Sequence, residues 1–95
     1  MRLAKLQNEF MSRLEKAKER LKSIPKDYTY SEAKYLLGQL GFVESNKGKT
    51  SGSRVKFYRA SDGEFVLMHK PHPSDMMSYK SICGLRNFLQ RIGEI

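Results

Sequence analysis

The stretch from residue 54 to residue 70 constrains the fold of this chain most, because polar and apolar residues alternate on both sides of an Asp-Gly pair. Alternation with a period of two is typical of a β-strand with one buried face. Val55 and Phe57 can then point toward a core. Asp62-Gly63 is a typical hairpin-turn sequence, so we predict two antiparallel strands. The other side of the first strand is basic and aromatic, formed by Arg54, Lys56 and Tyr58.

The returning strand, residues 64–70, carries apolar residues on both of its sides. These sides consist of Phe65, Leu67 and His69, and of Val66, Met68 and Lys70. Periodicity alone leaves open which side is buried. Upstream, residues 42–44 are short and apolar enough to begin a third strand.

Two segments with helical periodicity flank the predicted strands. In the first, Thr29 and Glu32 have the spacing of a capping box, and Gly41 is a typical stop. The second begins after Ser78, runs to about Ile92 and ends at Gly93. The apolar stripes of the two helices are Ala33, Leu36, Leu37 and Leu40, and Ile82, Leu85, Phe88, Leu89 and Ile92.

Residues 1–24 form a further amphipathic pattern, which Pro25 ends. Lysines and arginines fill the face opposite the apolar stripe, and three interpretations stay open. The helix could lie on RNA or a membrane, pack as an arm on a partner, or dock on its own domain or on a second copy of the chain. The stripe consists of Leu3, Leu6, Phe10, Leu14, Ala17, Leu21 and Ile24.

Taken together, these segments predict an α+β fold with helices on one side of a small antiparallel sheet. We expect a basic amphipathic helix over residues 1–26, followed by one domain over residues 27–95. The other side of the sheet stays free. A free basic face suits RNA or a protein partner better than a deep small-molecule pocket, for which 95 residues leave little room.

Net charge and cysteine content limit the partners and the compartment. The formal charge of +8 at pH 7 favours a polyanionic partner. The single Cys83 excludes an internal disulfide, which fits a reducing compartment. Residues 1–20 contain no apolar run long enough for a signal peptide or a membrane span. We therefore expect a cytoplasmic protein with no membrane association.

The loop before the hairpin, residues 46–53, is rich in Gly, Lys and Ser. Gly48-Lys49-Thr50 invites comparison with a phosphate-binding P-loop. The P-loop spacing would require a glycine in place of Val43 and a helix after the loop, so the comparison fails. Two interpretations are equally open: a mobile basic loop in which Lys47 and Lys49 touch phosphates, or a solvated connection.

The two histidines, His69 and His72, are the side chains whose ordinary pKa lies near neutrality. Both have a structural interpretation, with His69 beside the core and His72 held between prolines. Two histidines three residues apart in an extended segment do not supply a metal-ligand set. We expect no metal and no cofactor.

The region from about Tyr28 to Ile95 resembles the HicA family of toxins from bacterial toxin–antitoxin pairs. These are small basic proteins with a double-stranded-RNA-binding-like fold that cleave messenger RNA. The resemblance implies an α-β-β-β-α core with a three-stranded antiparallel sheet. It is carried by the order and spacing of Leu37-Gly38-Gln39-Leu40-Gly41-Phe42, Gly52-Ser53 with Phe57 downstream, Pro71-His72-Pro73 and Ile92-Gly93.

One position departs from the family motif, which is Gly-Ser-His followed by an aromatic residue. Arg54 stands where the family's catalytic histidine is expected. Arginine stays charged and can stabilise an anionic transition state, but it cannot take the 2′-hydroxyl proton of RNA. Either His72, which corresponds to a histidine often present before the last helix in the family, acts as base or acid, or the protein binds RNA without cutting it.

The resemblance also implies a function and a partner. It implies the toxin of a type II pair, an mRNA interferase-like protein that binds and cleaves RNA without a metal, held inactive by a HicB-like antitoxin. The alternatives are a non-catalytic RNA-binding domain and a protein-interaction domain for an acidic partner, with a homo-oligomer formed through residues 1–24. The expected site is catalytic His72 with RNA contacts from Lys47, Lys49, Ser53, Arg54, Lys56, Tyr58 and Lys70.

Overall fold

The computed structural model describes residues 11–45 and 54–95. Within these ranges the order of helix, helix, three strands and helix agrees with the prediction, and the α+β class is confirmed. The expected contacts at Lys47, Lys49 and Ser53, and the first ten residues of the N-terminal pattern, lie outside the described residues. The elements are α1 (Arg13–Lys22), α2 (Tyr30–Gln39), β1 (Val43–Ser45), β2 (Arg54–Tyr58), β3 (Phe65–His69) and α3 (Tyr79–Arg91).

The three strands form one antiparallel sheet in the order β1-β2-β3. Residues directly opposite each other on neighbouring strands share a face of the sheet. Val55 pairs with Met68 and Phe57 with Val66. Since Val55 and Phe57 are only 4% and 2% exposed, this set of positions forms the core side of the sheet.

The core lies between that side of the sheet and the helices. The apolar stripes predicted for the second and last helices supply most of it, since Ala33, Leu36 and Leu37 are fully buried and Leu40 is half-buried. Ring contacts join the layers, with the Tyr30 and Phe57 centroids 6.2 Å apart. The last helix contributes Ile82, Leu85, Phe88 and Leu89, with Ile92 packed at the margin.

The structure resolves which side of β3 is buried. Met68 is buried and Val66 half-buried, whereas Phe65 and Leu67 are 48% and 52% exposed. His69 is exposed on the same side as Phe65 and Leu67. Of the two sides that periodicity left open for His69, the structure adopts the outward one, because the hairpin pairs it with the outward-facing Arg54, and the interpretation of His69 as a structural residue beside the core does not hold.

The start of α2 is held from two directions. Thr29 and Glu32 form the predicted capping box, in which each side chain bonds to the other residue's backbone N–H. From the chain preceding α3, the Asp75 carbonyl accepts the Tyr30 N–H at 2.8 Å and the Asp75 carboxylate accepts the Ser31 N–H at 3.0 Å. This second set of bonds fixes the path of the connection between β3 and α3.

Helix α1 docks on its own domain over the described residues. Ser12 caps its N-terminus, and Leu21 is fully buried in the core. Arg20 bonds to Glu32 and, at 3.1 Å, to Asp27. Ile24 adopts a positive φ of 49° before Pro25, where the chain leaves the helix. Among the interpretations of the N-terminal pattern, docking on the domain is the one that residues 13–22 adopt, while the domain boundary at residue 26 stays a prediction.

Candidate nucleic-acid interface

The side of the sheet opposite the helices, which we call the open face, gathers the residues that β2 turns outward. Arg54 lies opposite His69, Lys56 opposite Leu67, and Tyr58 opposite Phe65. In β1, Val43 lies opposite Tyr58 and Ser45 opposite Lys56. The open face is thus made of Val43, Ser45, Arg54, Lys56, Tyr58, Phe65, Leu67 and His69.

The open face changes in character along the strands. One end is apolar and aromatic, with Val43, Tyr58 and Phe65 side by side. The other end carries the guanidinium of Arg54 opposite the imidazole of His69. An aromatic surface next to positive charge offers stacking for a base and an ion pair for a phosphate.

Lys56 joins the two ends of the open face. Its Nζ lies 4.6 Å from the centroid of the Phe65 ring and 5.7 Å from that of Tyr58. At these distances the ring faces attract the ammonium group and hold the long side chain down on the sheet. The charge is therefore positioned among the aromatic rings rather than distributed over many rotamers.

Three of the expected RNA contacts, Arg54, Lys56 and Tyr58, therefore share one surface. Lys70, also expected there, is exposed, but it lies after the last residue of β3. Its charge acts on the carboxyl group of Asp75. Hydrogen bonding from Ser31 holds the pKa of the Asp75 carboxyl below its usual value, and the charge of Lys70 adds to this effect. Lys70 thus belongs to the connection after β3.

His72 is exposed in the connection between β3 and α3, and its peptide bond to Pro73 is cis. It lies three positions after His69, so its Cα lies within about 11 Å of the end of β3. That end also carries Arg54. His72 and Arg54 are thus brought to the same end of the sheet.

The expected site omitted five residues that the structure adds to the open face: Val43, Ser45, Phe65, Leu67 and His69. The sequence contained a signal for three of them. In a hairpin, the number of loop residues decides which residues of the two strands share a face of the sheet. Every even number places Val66 and Met68 on the same face as Val55 and Phe57. Phe65, Leu67 and His69 must then face outward with Tyr58.

A concave surface separate from the open face lies between α1 and α2. It has a volume of about 260 Å³ and is lined by Ala17, Arg20, Tyr28, Ser31, Glu32 and Tyr35. Its charges neutralise each other, because Arg20 is paired with Glu32. The hydrogen bond from Arg20 is the largest influence that holds the pKa of Glu32 below its usual value. This pairing stabilises the contact between the two helices and leaves the pocket with no net charge from these two side chains.

Among residues 11–45 and 54–95, no three or more His, Cys, Asp or Glu side chains come together as a metal site. In the same part of the chain, no helix has the length and apolar content needed to cross a bilayer. Comparisons with protein-family models, curated proteins and solved structures give no match for this chain.

Proposed function

We propose that this protein is a HicA-like toxin of a type II toxin–antitoxin pair, with a double-stranded-RNA-binding-like fold, which binds messenger RNA in the cytoplasm through the open face. One observation carries the proposal. The face that β2 turns away from the core presents Arg54, Lys56 and Tyr58 together, with the Lys56 ammonium held over the Phe65 ring.

Charge and stacking both favour RNA at this surface. Arg54 and Lys56 supply two cations for phosphates, in a chain whose net charge is +8. Tyr58 and Phe65 supply neighbouring exposed rings, on which unpaired bases can stack. Each stacked base contributes roughly 1 to 3 kcal/mol to binding in proteins of this kind.

In the proposed cleavage, His72 acts as base or acid and Arg54 and Lys56 stabilise negative charge on the reacting phosphate. The 2′-hydroxyl oxygen attacks the adjacent phosphorus and the bond to the 5′-oxygen breaks, leaving a cyclic phosphate and a free 5′-hydroxyl. Imidazole can move both protons near neutral pH, whereas a guanidinium cannot. The reaction needs no metal.

A second candidate is RNA binding without cleavage. Arg54 favours it, because it replaces the family's histidine on the strand that the proposal places under the RNA. A binding surface can persist after the general base is lost. Arg54→His then becomes an informative variant, since it restores the histidine of the family motif.

The proposed antitoxin would cover the same surface. Val43, Phe65 and Leu67 are large apolar side chains exposed beside the cations. A HicB-like protein with acidic side chains around an apolar centre would bury these groups and neutralise Arg54 and Lys56. RNA and antitoxin would then exclude each other.

The test of RNA binding compares the full-length parent with Lys56→Ala, Tyr58→Ala and the control Lys80→Ala on a long unstructured RNA. Lys80 is exposed on α3, outside the open face, and gives the same change in charge as Lys56. We expect the Tyr58 variant to bind roughly tenfold more weakly because a stacking ring is lost, and the Lys80 variant to bind like the parent. Equal losses from Lys56 and Lys80 would contradict a localised site.

The test of cleavage uses the same RNA in EDTA with the parent, His72→Ala and Arg54→His. If the first candidate is correct, the parent cuts and His72→Ala does not. If the parent binds without cutting and Arg54→His gains activity, the non-catalytic alternative is correct. Failure of the parent to bind RNA would reject both.

A further inference from the structure

Strand β3 forms one border of the sheet, and the pairing of the hairpin defines which of its backbone groups face outward. In the described part of the chain, β3 pairs with β2 alone. The Arg59 N–H donates to the Glu64 carbonyl at 2.9 Å, which makes these opposite residues a hydrogen-bonded pair. Such pairs alternate along an antiparallel ladder. Val66 and Met68 therefore bond to β2, while Phe65, Leu67 and His69 direct their N–H and C=O groups away from it.

Within residues 11–45 and 54–95, this border lacks the usual protection of an edge strand. Exposed edges are commonly blocked by charged residues, proline or a bulge, because unpaired backbone groups recruit further strands. In β3 the outward-facing positions are Phe65, Leu67 and His69, and the first two are about half exposed. The strand pairs with β2 over all five of its residues without a bulge. The edge is therefore regular and apolar.

The helix side of the same edge has space for the side chains of an added strand. A cavity of about 180 Å³ lies between β3 and α3, lined by residues that include Val66, Met68, Ser81, Gly84 and Leu85. A Cβ atom placed on Gly84 would meet nothing within 4 Å. An added strand can therefore direct apolar side chains toward the helix without displacing it.

We propose that the edge of β3 binds β3 of a second copy of this chain, antiparallel and centred on Leu67. Outward-facing residues must pair with outward-facing residues, so Leu67 lies opposite Leu67 and Phe65 opposite His69 of the second copy. This is the register in which all five residues of each strand are paired. It forms about six backbone hydrogen bonds and joins the two sheets into one of six strands.

The side chains of β3 are self-complementary in this register. On the helix side, Val66 lies opposite Met68 of the second copy, and both can cover the space beside Gly84. Beyond the strand ends, Glu64 lies opposite Lys70 of the second copy, so each end of the interface has a pair of opposite charges. On the open face, Leu67 meets Leu67. The apolar centre and the oppositely charged ends both match when a second copy of the chain is the partner. An acidic strand of another protein would instead place a negative charge opposite Glu64, so a second copy is favoured.

The first test reverses the charges at the ends of the interface. The full-length parent, Glu64→Lys, Lys70→Glu and the double variant are compared by sedimentation velocity over a range of concentrations. We expect the parent to be a dimer. The dissociation constant of the dimer should rise roughly tenfold in each single variant, because like charges then face each other across both ends of the interface. The double variant should recover the dissociation constant of the parent. Glu64 also faces Arg91 at 3.7 Å in its own chain, but this long pair with an exposed arginine contributes little to folding. A monomeric parent, or a double variant no better than the singles, would overturn the proposal.

The second test separates the backbone from the side chain. Leu67→Pro removes an outward N–H without removing a bond to β2, whereas Leu67→Thr removes the apolar side chain and keeps the N–H. We expect the proline variant to be monomeric and the threonine variant to keep a weakened dimer. A folded proline variant that remains dimeric, with circular dichroism like that of the parent, would assign dimerisation to another surface such as residues 1–24. If the proline variant fails to fold, the charge reversals still decide the question.

The proposed dimer does not depend on RNA binding. Its measurements contain no RNA, and the Lys56 and Tyr58 variants that test the RNA surface lie on β2. The two proposals can therefore succeed or fail separately.

Discussion

Arg59, directly after β2, binds three separate parts of the fold. Its guanidinium donates to the Leu40 carbonyl at 3.0 Å, to the Glu94 carboxylate at 2.7 Å and to the Asp62 carboxylate at 2.7 Å. It also lies 4.7 Å from the centroid of the Phe42 ring. The end of α2, the hairpin turn and the C-terminus therefore meet at one cation whose side chain is only 12% exposed.

We expect Arg59→Ala to lower the free energy of unfolding by about 2 kcal/mol, because charged hydrogen bonds are lost and two carboxylates lose their partner. Arg59→Lys should lose about half as much, since an ammonium group cannot maintain the same fork of bonds. Urea unfolding measures both. The control is Arg54→Ala, at an exposed arginine of the same sheet, which should change stability by less than about 0.5 kcal/mol. Equal effects at Arg54 and Arg59 would contradict the role given to this cluster.

At the residue scale, sequence and structure agree where a local rule decides the outcome. The capping box of Thr29 and Glu32 was predictable because both partners lie within one helical turn. The role of Arg59 was not predictable, since Leu40 and Glu94 approach it from distant positions in the chain. The orientation of His69 is an intermediate case, because an even number of residues in the hairpin loop is sufficient to place it on the open face.

At the scale of secondary-structure elements, α2 depends on Asp75 as well as on its own capping box. Hydrogen bonding holds the pKa values of Glu32 and Asp75 below their usual values, with Arg20 the main partner of Glu32 and Ser31 that of Asp75. In the unfolded chain both carboxyls titrate near their usual pKa, so the unfolded state takes up protons first as the pH falls. The stabilisation is complete above about pH 5.5, roughly one unit above the usual pKa values, and is lost as the pH falls through the lower pKa values of the folded state.

We therefore expect Asp75→Asn and Glu32→Gln to be less stable than the parent at pH 7, and the difference to diminish below about pH 4 because the parent loses these charged bonds itself. Urea unfolding from pH 7 to pH 3 measures the effect. Asp27→Asn provides a comparison at an exposed carboxyl that contacts Arg20 but not the start of α2. A difference between parent and variants that is constant with pH would show that ionisation of these carboxyls is not the cause.

Element order was predictable because periodicity and stop signals are local, whereas the packing of α1 was not. Its stripe allowed docking on the domain, on a partner or on a second copy. The choice is made by tertiary contacts, with Leu21 in the core and Arg20 bound to Glu32 on α2. An amphipathic pattern identifies the buried face of a helix but not the surface that buries it.

At the scale of the whole molecule, the net charge of +8 should make the proposed RNA binding strongly dependent on salt. Neutralising phosphates releases condensed counterions, so affinity for single-stranded RNA should fall steeply with salt, with a logarithmic slope of roughly −0.7 per phosphate contact. We expect Lys56→Ala to reduce the magnitude of that slope by about the contribution of one phosphate contact. Tyr58→Ala should leave the slope unchanged, because base stacking releases no counterion. Fluorescence anisotropy at salt concentrations from roughly 50 to 300 mM measures this slope. Parallel lines for the parent and Lys56→Ala would contradict a phosphate contact at Lys56.

The bonds between the start of α2 and the connection before α3 also limit how the chain can fold. Ser31 and Asp75 are 44 residues apart, and Thr29 forms a β-bridge with Met76. All three strands lie within the loop that these contacts close. Closing so long a loop has a large entropic cost that only the assembled core can offset. The amide of Met77, which donates to the Tyr28 carbonyl, should therefore exchange its hydrogen only when the entire domain unfolds.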